Sequence, residues 1–197
     1  MLIGLTGGIG CGKSSVLKIF RQLGIQTISA DEIVQHLLKD TDVRQRIRQI
    51  FGDQVFTPTG EVDKAKLATR IFSNKSDRKA LEAILHPMVF ETIIQKHRQM
   101  PDKILIAEVP LLFETGSQDL FDKIIVVKAP LYAIKARLKK RGMTEQDIEA
   151  RLKSQMDLKR KLAKADYVID NSQDLGETGK QVKNILASIK SSTKGAA

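Results

Sequence analysis

Gly7-Gly8-Ile9-Gly10-Cys11-Gly12-Lys13-Ser14 fits the spacing G-x-x-x-x-G-K-[ST] in full. The chemistry this spacing serves is polyphosphate binding. A polyphosphate asks for a ring of backbone N–H donors, and glycines let the backbone come that close in the dihedrals required. Lys13 is long enough to reach the β- and γ-phosphates, and the Ser14 hydroxyl can take one position on Mg²⁺. A glycine-rich turn that binds nothing is the plain alternative. The surroundings weigh against it. Leu2-Ile3-Gly4-Leu5 reads as a buried first strand, and Val16, Leu17, Ile19, Phe20 and Leu23 recur at helical spacing until Gly24. The glycines therefore fall where a strand turns into a helix, whose N-terminus adds its partial positive charge to the same spot. The reading is a nucleoside triphosphate site formed by Gly8, Gly10, Cys11, Gly12, Lys13, Ser14 and Ser15.

Further residues are spaced to act on a bound triphosphate. Ile25-Gln26-Thr27-Ile28 reads as a second strand, with Ser29-Ala30-Asp31 at its C-terminal end. In open parallel sheets, ligand chemistry gathers outside the carboxyl ends of the strands, so Asp31 is expected in the crevice beside the phosphate loop. There it can accept a proton from an acceptor hydroxyl or order Mg²⁺. Its bland alternative is an N-cap for the helix marked by Ile33, Val34, Leu37 and Leu38. Lys103-Ile104-Leu105-Ile106-Ala107 reads as a central parallel strand that ends at Glu108. A carboxylate in that position usually holds Mg²⁺ through water, which makes Glu108 a second metal candidate after Ser14, against a structural hydrogen-bonding role. Arg137 and Arg141 are four apart on one predicted helix, which Gly142 ends, and Arg151 and Gln155 are four apart on the next. Thr144-Glu145-Gln146-Asp147 opens that second helix as a capping box, and Ile148, Leu152 and Met156 share its apolar face. Two helices joined by a tight turn, both carrying arginines, read as a lid over a triphosphate. The planar fork of arginine bridges phosphate oxygens and stays charged during transfer.

The elements that must position these residues alternate between strand and helix at both ends of the chain. Ile124-Ile125-Val126-Val127 is the fourth strand, and Ala165-Asp166-Tyr167-Val168-Ile169-Asp170-Asn171 the fifth with its turn. Between strands two and three the alternation stops. Val43, Ile47, Ile50 and Phe51 mark a helix ended at Gly52, and Thr57-Pro58-Thr59-Gly60 is a turn. Leu67, Ile71 and Phe72 mark another helix, and Leu81, Ile84 and Leu85 a third. His86-Pro87 is expected to break that one, with Val89, Ile93 and Ile94 continuing as a fourth. A helical block this long is no simple crossover, and it reads as an insert that supplies the acceptor site. The fold class is α/β: a five-stranded parallel sheet flanked by helices in three layers. The core is expected over 1–41, 101–133 and 164–191, the insert over 42–100 and the lid over 134–163. A last helix carries Val182, Ile185, Leu186 and Ile189, and the polar stretch from Ser191 to Ala197 is expected to fray.

Composition narrows the function classes. At 197 residues the chain suits one α/β domain with modest insertions. One cysteine, Cys11, allows no disulfide framework and points to a reducing cytoplasm. No apolar run approaches the roughly 18 residues of a membrane span, and the start reads straight into strand and loop rather than as a signal peptide. The formal charge is +10, and residues 123 to 164 hold thirteen Lys or Arg against four Asp or Glu, a net +9. Such a window can be a nucleic-acid footprint, a solvated helical face or a clamp over polyphosphate. Tyr132 is the only aromatic in it, so the interleaving wanted for single-strand stacking is missing. No nucleic-acid or membrane partner is expected. No exposed heptad or apolar patch is legible, and a monomer is expected.

Taken together, the motifs resemble the dephospho-coenzyme A kinase family over about residues 2 to 187. The phosphate loop alone is shared by many kinases. More specific are Leu85-His86-Pro87, Val109-Pro110-Leu111-Leu112-Phe113-Glu114, Arg137-Leu138 with Arg141, Arg151 with Gln155, and Ala165 to Asn171 with its Asp170-Asn171 ending. The family often has Asp where this chain has Ser29 and Glu108, and Ser at Cys11. None of these departures removes a group the chemistry requires. The resemblance implies a P-loop kinase fold and phosphoryl transfer from ATP, with Mg²⁺, to the ribose 3′-hydroxyl of dephospho-CoA, the last step of coenzyme A synthesis. It implies Asp31, Lys13 and Arg141 as catalytic residues, with Arg137 helping Arg141 over the transferring group. It implies Asp31, His86 and Leu112 at the acceptor, although His86 also has a plain reading as a helix-ending residue. The alternatives are a nucleotide or nucleoside kinase of the same fold, and a nucleic-acid-binding P-loop ATPase.

Overall fold

The computed structural model of the chain describes residues 1–101 and 103–194. Strand β1 (Leu2–Gly7) is buried along its whole length. Its neighbours are β3 (Leu105–Glu108) on one side and β4 (Lys123–Lys128) on the other, both parallel to it. Strands β2 (Gln26–Ser29) and β5 (Tyr167–Asp170) take the two edges, giving the order β2-β3-β1-β4-β5. The central strands read as unbroken apolar runs because a parallel sheet is covered on both faces. Each expected strand is present.

The chain forms two compact units, one from residues 1–28 and 100 onward, the other from Ser29 to Gln99. The core of the first unit joins Ile3, Leu5, Ile106, Ile125 and Val127 of the sheet to Val16, Leu17 and Phe20 of helix α1 (Lys13–Gln22). The second unit starts earlier than the boundary expected at residue 42. It takes in helix α2 (Ala30–Leu37), whose Val34 and Leu37 pack on the cluster formed by Val43, Ile47, Phe51, Leu67, Leu81 and Leu85. Helix α3 (Thr41–Phe51) is capped by Asp40, which accepts from the Asp42 and Val43 N–H groups, and it ends at Gly52 with φ 71°. Helix α4 (Lys64–Ser73) is capped by Asp63 in the same way.

Pro87 does not break the insert's last helix. Helix α5 (Lys75–Arg98) runs through it for 24 residues. A proline inside a helix costs about 3 kcal/mol in a lost hydrogen bond and ring clash. Leu81, Leu85, Val89 and Ile93 form an i, i+4 stripe of buried side chains across the proline, and continuity of that stripe outweighs the local cost.

Among the described residues the first unit also holds α6 (Leu131–Lys140), α7 (Glu145–Ser154), the short α8 (Leu158–Leu162) and α9 (Leu175–Lys194). Thr144 and Asp147 form the anticipated capping box on α7. Helix α7 ends at Ser154, so Gln155 and Met156 lie off the helix the sequence assigns them to. Residues 191–194 continue α9 rather than fray, and 195–197 lie outside the described residues.

Candidate active site

Strand β1 delivers the chain into the loop at Gly7, and two glycines there admit no side chain. Gly7 has φ 149°, and a Cβ on it would fall 2.3 Å from the Val127 carbonyl oxygen. Gly12 has φ 92°, and a Cβ on it would fall 2.0 Å from Asn171 Nδ2. Gly12 is also the N-cap of α1, and no side chain caps that end. An uncapped helix N-terminus behind a glycine loop is a seat for an anion. Lys13 is nearly buried, 9% exposed, and its ammonium donates to the Gly8 and Gly7 carbonyls at 3.1 and 3.4 Å. Ser14 and Ser15 follow it at the surface.

The loop is held from behind. Arg137 donates through Nη1 to the carbonyls of Gly10 and Cys11 at 3.3 and 3.2 Å, and through Nη2 to that of Asn171 at 2.8 Å. Asn171 Nδ2 donates to the Cys11 carbonyl at 2.8 Å, and Thr178 Oγ1 donates to Asn171 Oδ1 at 3.0 Å. Arg137 thus spends two of its nitrogens on backbone carbonyls and fixes peptide planes of the loop. Arg141, by contrast, follows the last residue of α6 at the surface and makes no ion pair among the described residues.

Glu108, 5% exposed at the end of β3, accepts from Ser14 Oγ at 3.4 Å. The sequence pairs these two as metal candidates, and the structure brings them together. A hydroxyl and a carboxylate side by side are hard oxygen donors of the kind Mg²⁺ takes when phosphates supply the other positions, so the residues fit that ion.

Cys11 is fully buried, and burial pushes its thiol above the usual cysteine range, with Lys13 opposing that shift only in part. Its place is that of a small filler under the loop. The native protein should therefore react negligibly with a thiol-disulfide reagent at pH 8 and yield its one thiol after unfolding in guanidinium. Rapid labelling of the folded chain would contradict this.

The two arginine-bearing helices are pinned together at one end. Glu145 pairs with Lys135, and with Lys139 at 2.7 Å. The Lys135 hydrogen bond, then that of Lys139, holds its carboxyl down from 4.5 to about 2. A carboxyl lowered on folding stabilises fully above its unfolded value and loses that contribution as pH falls through the folded one. The melting temperature of wild type should exceed that of Glu145→Gln by a constant gap above pH 5. That gap should close as pH falls from 4.5 toward 2, and high salt should shrink it, since the groups are part-exposed. A gap that widens in acid would refute the pairing.

The second unit carries the remaining sequence candidates. Asp31 is the second residue of α2, two beyond the end of β2, and Ser29 holds the N-cap position, so the capping role does not apply to Asp31. Its carboxylate is exposed and has no hydrogen bond or ion pair among the described residues. His86 lies inside α5, its ring edge-on to Phe90 with centroids 6.3 Å apart, and it ends nothing. A groove of about 560 Å³ in this unit is lined by Val55, Ala65, Thr69 and Arg70 among others, with Arg70 committed to Asp77 at 2.7 Å. Leu112, of the first unit, has no exposed surface and packs where a Cβ on Gly4 would meet its Cδ1 at 2.5 Å, so the structure shows it as a core residue.

Sequence reasoning missed a polar network beside the loop. Lys161 is 0% exposed and pairs with Glu114 at 2.9 Å. Its Nζ also donates to the Pro110 carbonyl at 3.3 Å, which in turn accepts from Thr6 Oγ1 at 3.2 Å. Glu114 was visible only as part of a motif, and one lysine among the thirteen basic residues of that window gives no sign of being buried.

A protein-family model described as CoaE, dephospho-CoA kinase, matches residues 1–177. A protein of Aquifex aeolicus (strain VF5) named dephospho-CoA kinase is 40% identical over 189 residues, covering 95% of this chain and 96% of its own length. The crystal structure of TT1252 from Thermus thermophilus superposes with a TM-score of 0.84 at 29% identity, over 95% of this chain and 97% of that one. The dephospho-CoA kinase of Campylobacter jejuni superposes with a TM-score of 0.72 at 26% identity, over 98% of both chains.

Proposed function

The chain belongs to the dephospho-CoA kinase family and is an ATP-dependent kinase, and from that premise we propose that it transfers the γ-phosphoryl group of ATP to the ribose 3′-hydroxyl of dephospho-CoA. The observation that carries the acceptor assignment is the match to dephospho-CoA kinases over nearly the full length of both chains.

The residues divide the work as follows. The phosphate loop at Gly8, Gly10, Cys11, Gly12, Lys13, Ser14 and Ser15, with the open N-terminus of α1 and the Lys13 ammonium, holds the β- and γ-phosphates. Asp31 orients the acceptor hydroxyl and takes its proton as the oxygen bonds to the γ-phosphorus. The bond from that phosphorus to the bridging oxygen breaks, and ADP leaves with the electron pair. Arg141 balances the charge spread over the transferring group, and Arg137 keeps the loop in shape from behind. Ser14 and Glu108 would hold Mg²⁺, which when bound neutralises charge on the β- and γ-phosphate oxygens. Helices α6 and α7 serve as the lid that excludes water, so that ATP is not hydrolysed without an acceptor. His86 is assigned to the acceptor side. No helix among the described residues is long and apolar enough to cross a membrane. A monomer in a reducing cytoplasm, acting on a small molecule, completes the reading.

The test is coupled ADP release with ATP and Mg²⁺, comparing dephospho-CoA with AMP, CMP, adenosine and no acceptor. Release that requires dephospho-CoA is expected. Release with another nucleotide would keep the phosphate loop and overturn the acceptor. Release without any acceptor, together with salt-sensitive retention on nucleic acid, would favour an ATPase that tracks a phosphate backbone.

A further inference from the structure

Gln155 follows Ser154, the last residue of the arginine-bearing helix α7, and its side chain reaches the phosphate loop. The Ile9 N–H, between Gly8 and Gly10 of the loop, donates to Gln155 Oε1 at 2.9 Å. The backbone of Gln155 is extended, with φ −100° and ψ 157°, so the chain turns out of the helix at this residue. The next N–H, that of Met156, donates to Glu114 Oε1 at 2.9 Å. Glu114 is fixed in turn by buried Lys161, and Lys161 by the Pro110 carbonyl, to which Thr6 of β1 also donates. Two consecutive residues at the end of α7 are thus moored, one to the loop itself and one to the segment beside the strand that feeds it. A residue serving only as a helix terminus would find its partner within the last turn. Gln155 instead bonds 146 residues away.

We propose that Gln155 is a positioning residue that couples the lid helix to the phosphate loop, so that loop geometry and lid position are set together when a triphosphate binds. The proposal rests on the nucleotide-binding reading of the loop and not on the identity of the acceptor. The bond to Ile9 occupies a loop amide with a protein oxygen, and it makes the position of α7 depend on the loop's conformation. The arginines of that lid are needed where a γ-phosphate is present. ADP, which lacks it, has less to gain from the coupling.

The experiment compares wild type with Gln155→Met, which keeps the length and removes the acceptor oxygen. Affinity for a non-hydrolysable ATP analogue with an imido bridge should fall about fivefold, the size of one neutral hydrogen bond, while affinity for ADP changes by less than about twofold. Amide hydrogen exchange at Ile9 in the unliganded protein should speed up by about tenfold in the variant and stay near wild type in Gln155→Glu, which keeps an oxygen for that N–H. Equal losses for triphosphate and diphosphate would reduce Gln155 to a structural prop and overturn the proposal, as would unchanged Ile9 exchange. Gln155→Ala supplies the same comparison if Gln155→Met does not fold. Neither binding nor exchange uses an acceptor, so absence of dephospho-CoA-dependent turnover in wild type would overturn the acceptor assignment and leave this result readable.

Discussion

Asp31→Asn should give a folded protein that binds ATP as wild type does and turns over at least about a hundredfold more slowly. The asparagine keeps the shape and cannot take a proton. Structural cost should be small, because the carboxylate is exposed and has no hydrogen bond or ion pair among the described residues to lose. It is the second residue of α2, so removing its charge gives up at most about 1 kcal/mol of helix-dipole interaction. The check is kcat from ADP release beside a fluorescent-nucleotide titration and a melting curve. Near wild-type turnover would remove Asp31 from the mechanism. A collapse of ATP affinity with kcat preserved would move it from proton acceptor to ligand contact.

Lys13→Met should cost about a hundredfold or more in kcat/KM, and part of that loss should appear in ATP affinity. The ammonium is nearly buried and bonded to the Gly7 and Gly8 carbonyls, so it is held in the loop before any nucleotide arrives. A charge fixed in place needs little reorganisation when the phosphate comes, which is why its removal should weigh more than that of a mobile surface cation. Methionine matches the stem of the lysine, which limits the packing loss. A melting temperature close to wild type with activity retained would show that the loop amides and the helix N-terminus suffice, and would overturn the role given to Lys13.

What the sequence made legible was the part governed by local rules. The glycine spacing, the strand before it and the helix after it were readable because a positive φ demands glycine and a buried parallel strand demands an apolar run. Gly52 after Phe51 and Thr144 with Asp147 on α7 were readable for the same reason: caps are written within four residues. Less legible were the places where contacts beyond the local window decide. Pro87 looked like a break, and the stripe from Leu81 to Ile93 carried the helix through. Gln155 looked like a helix face residue, and the Ile9 amide draws it to the loop. Arg137 reads as a lid residue facing phosphate, and the structure adds hydrogen bonds from its Nη1 and Nη2 to carbonyls of the loop and of Asn171, which no local spacing announces. Leu112 came in with a motif whose working member beside the loop is Glu114. Ser14 and Glu108, each read as a metal candidate, meet because the first turn of α1 follows β1 and Glu108 ends its parallel neighbour β3.

The measurement that tests the central claim most directly is the identity of the product. Wild-type protein is incubated with ATP, Mg²⁺ and dephospho-CoA, and the product is analysed by mass and by ¹H–³¹P correlation. The prediction is one added phosphoryl group, coupled to the ribose H3′, formed in step with ADP. ADP without phosphorylated dephospho-CoA, or a phosphoryl group on any other position, would contradict it.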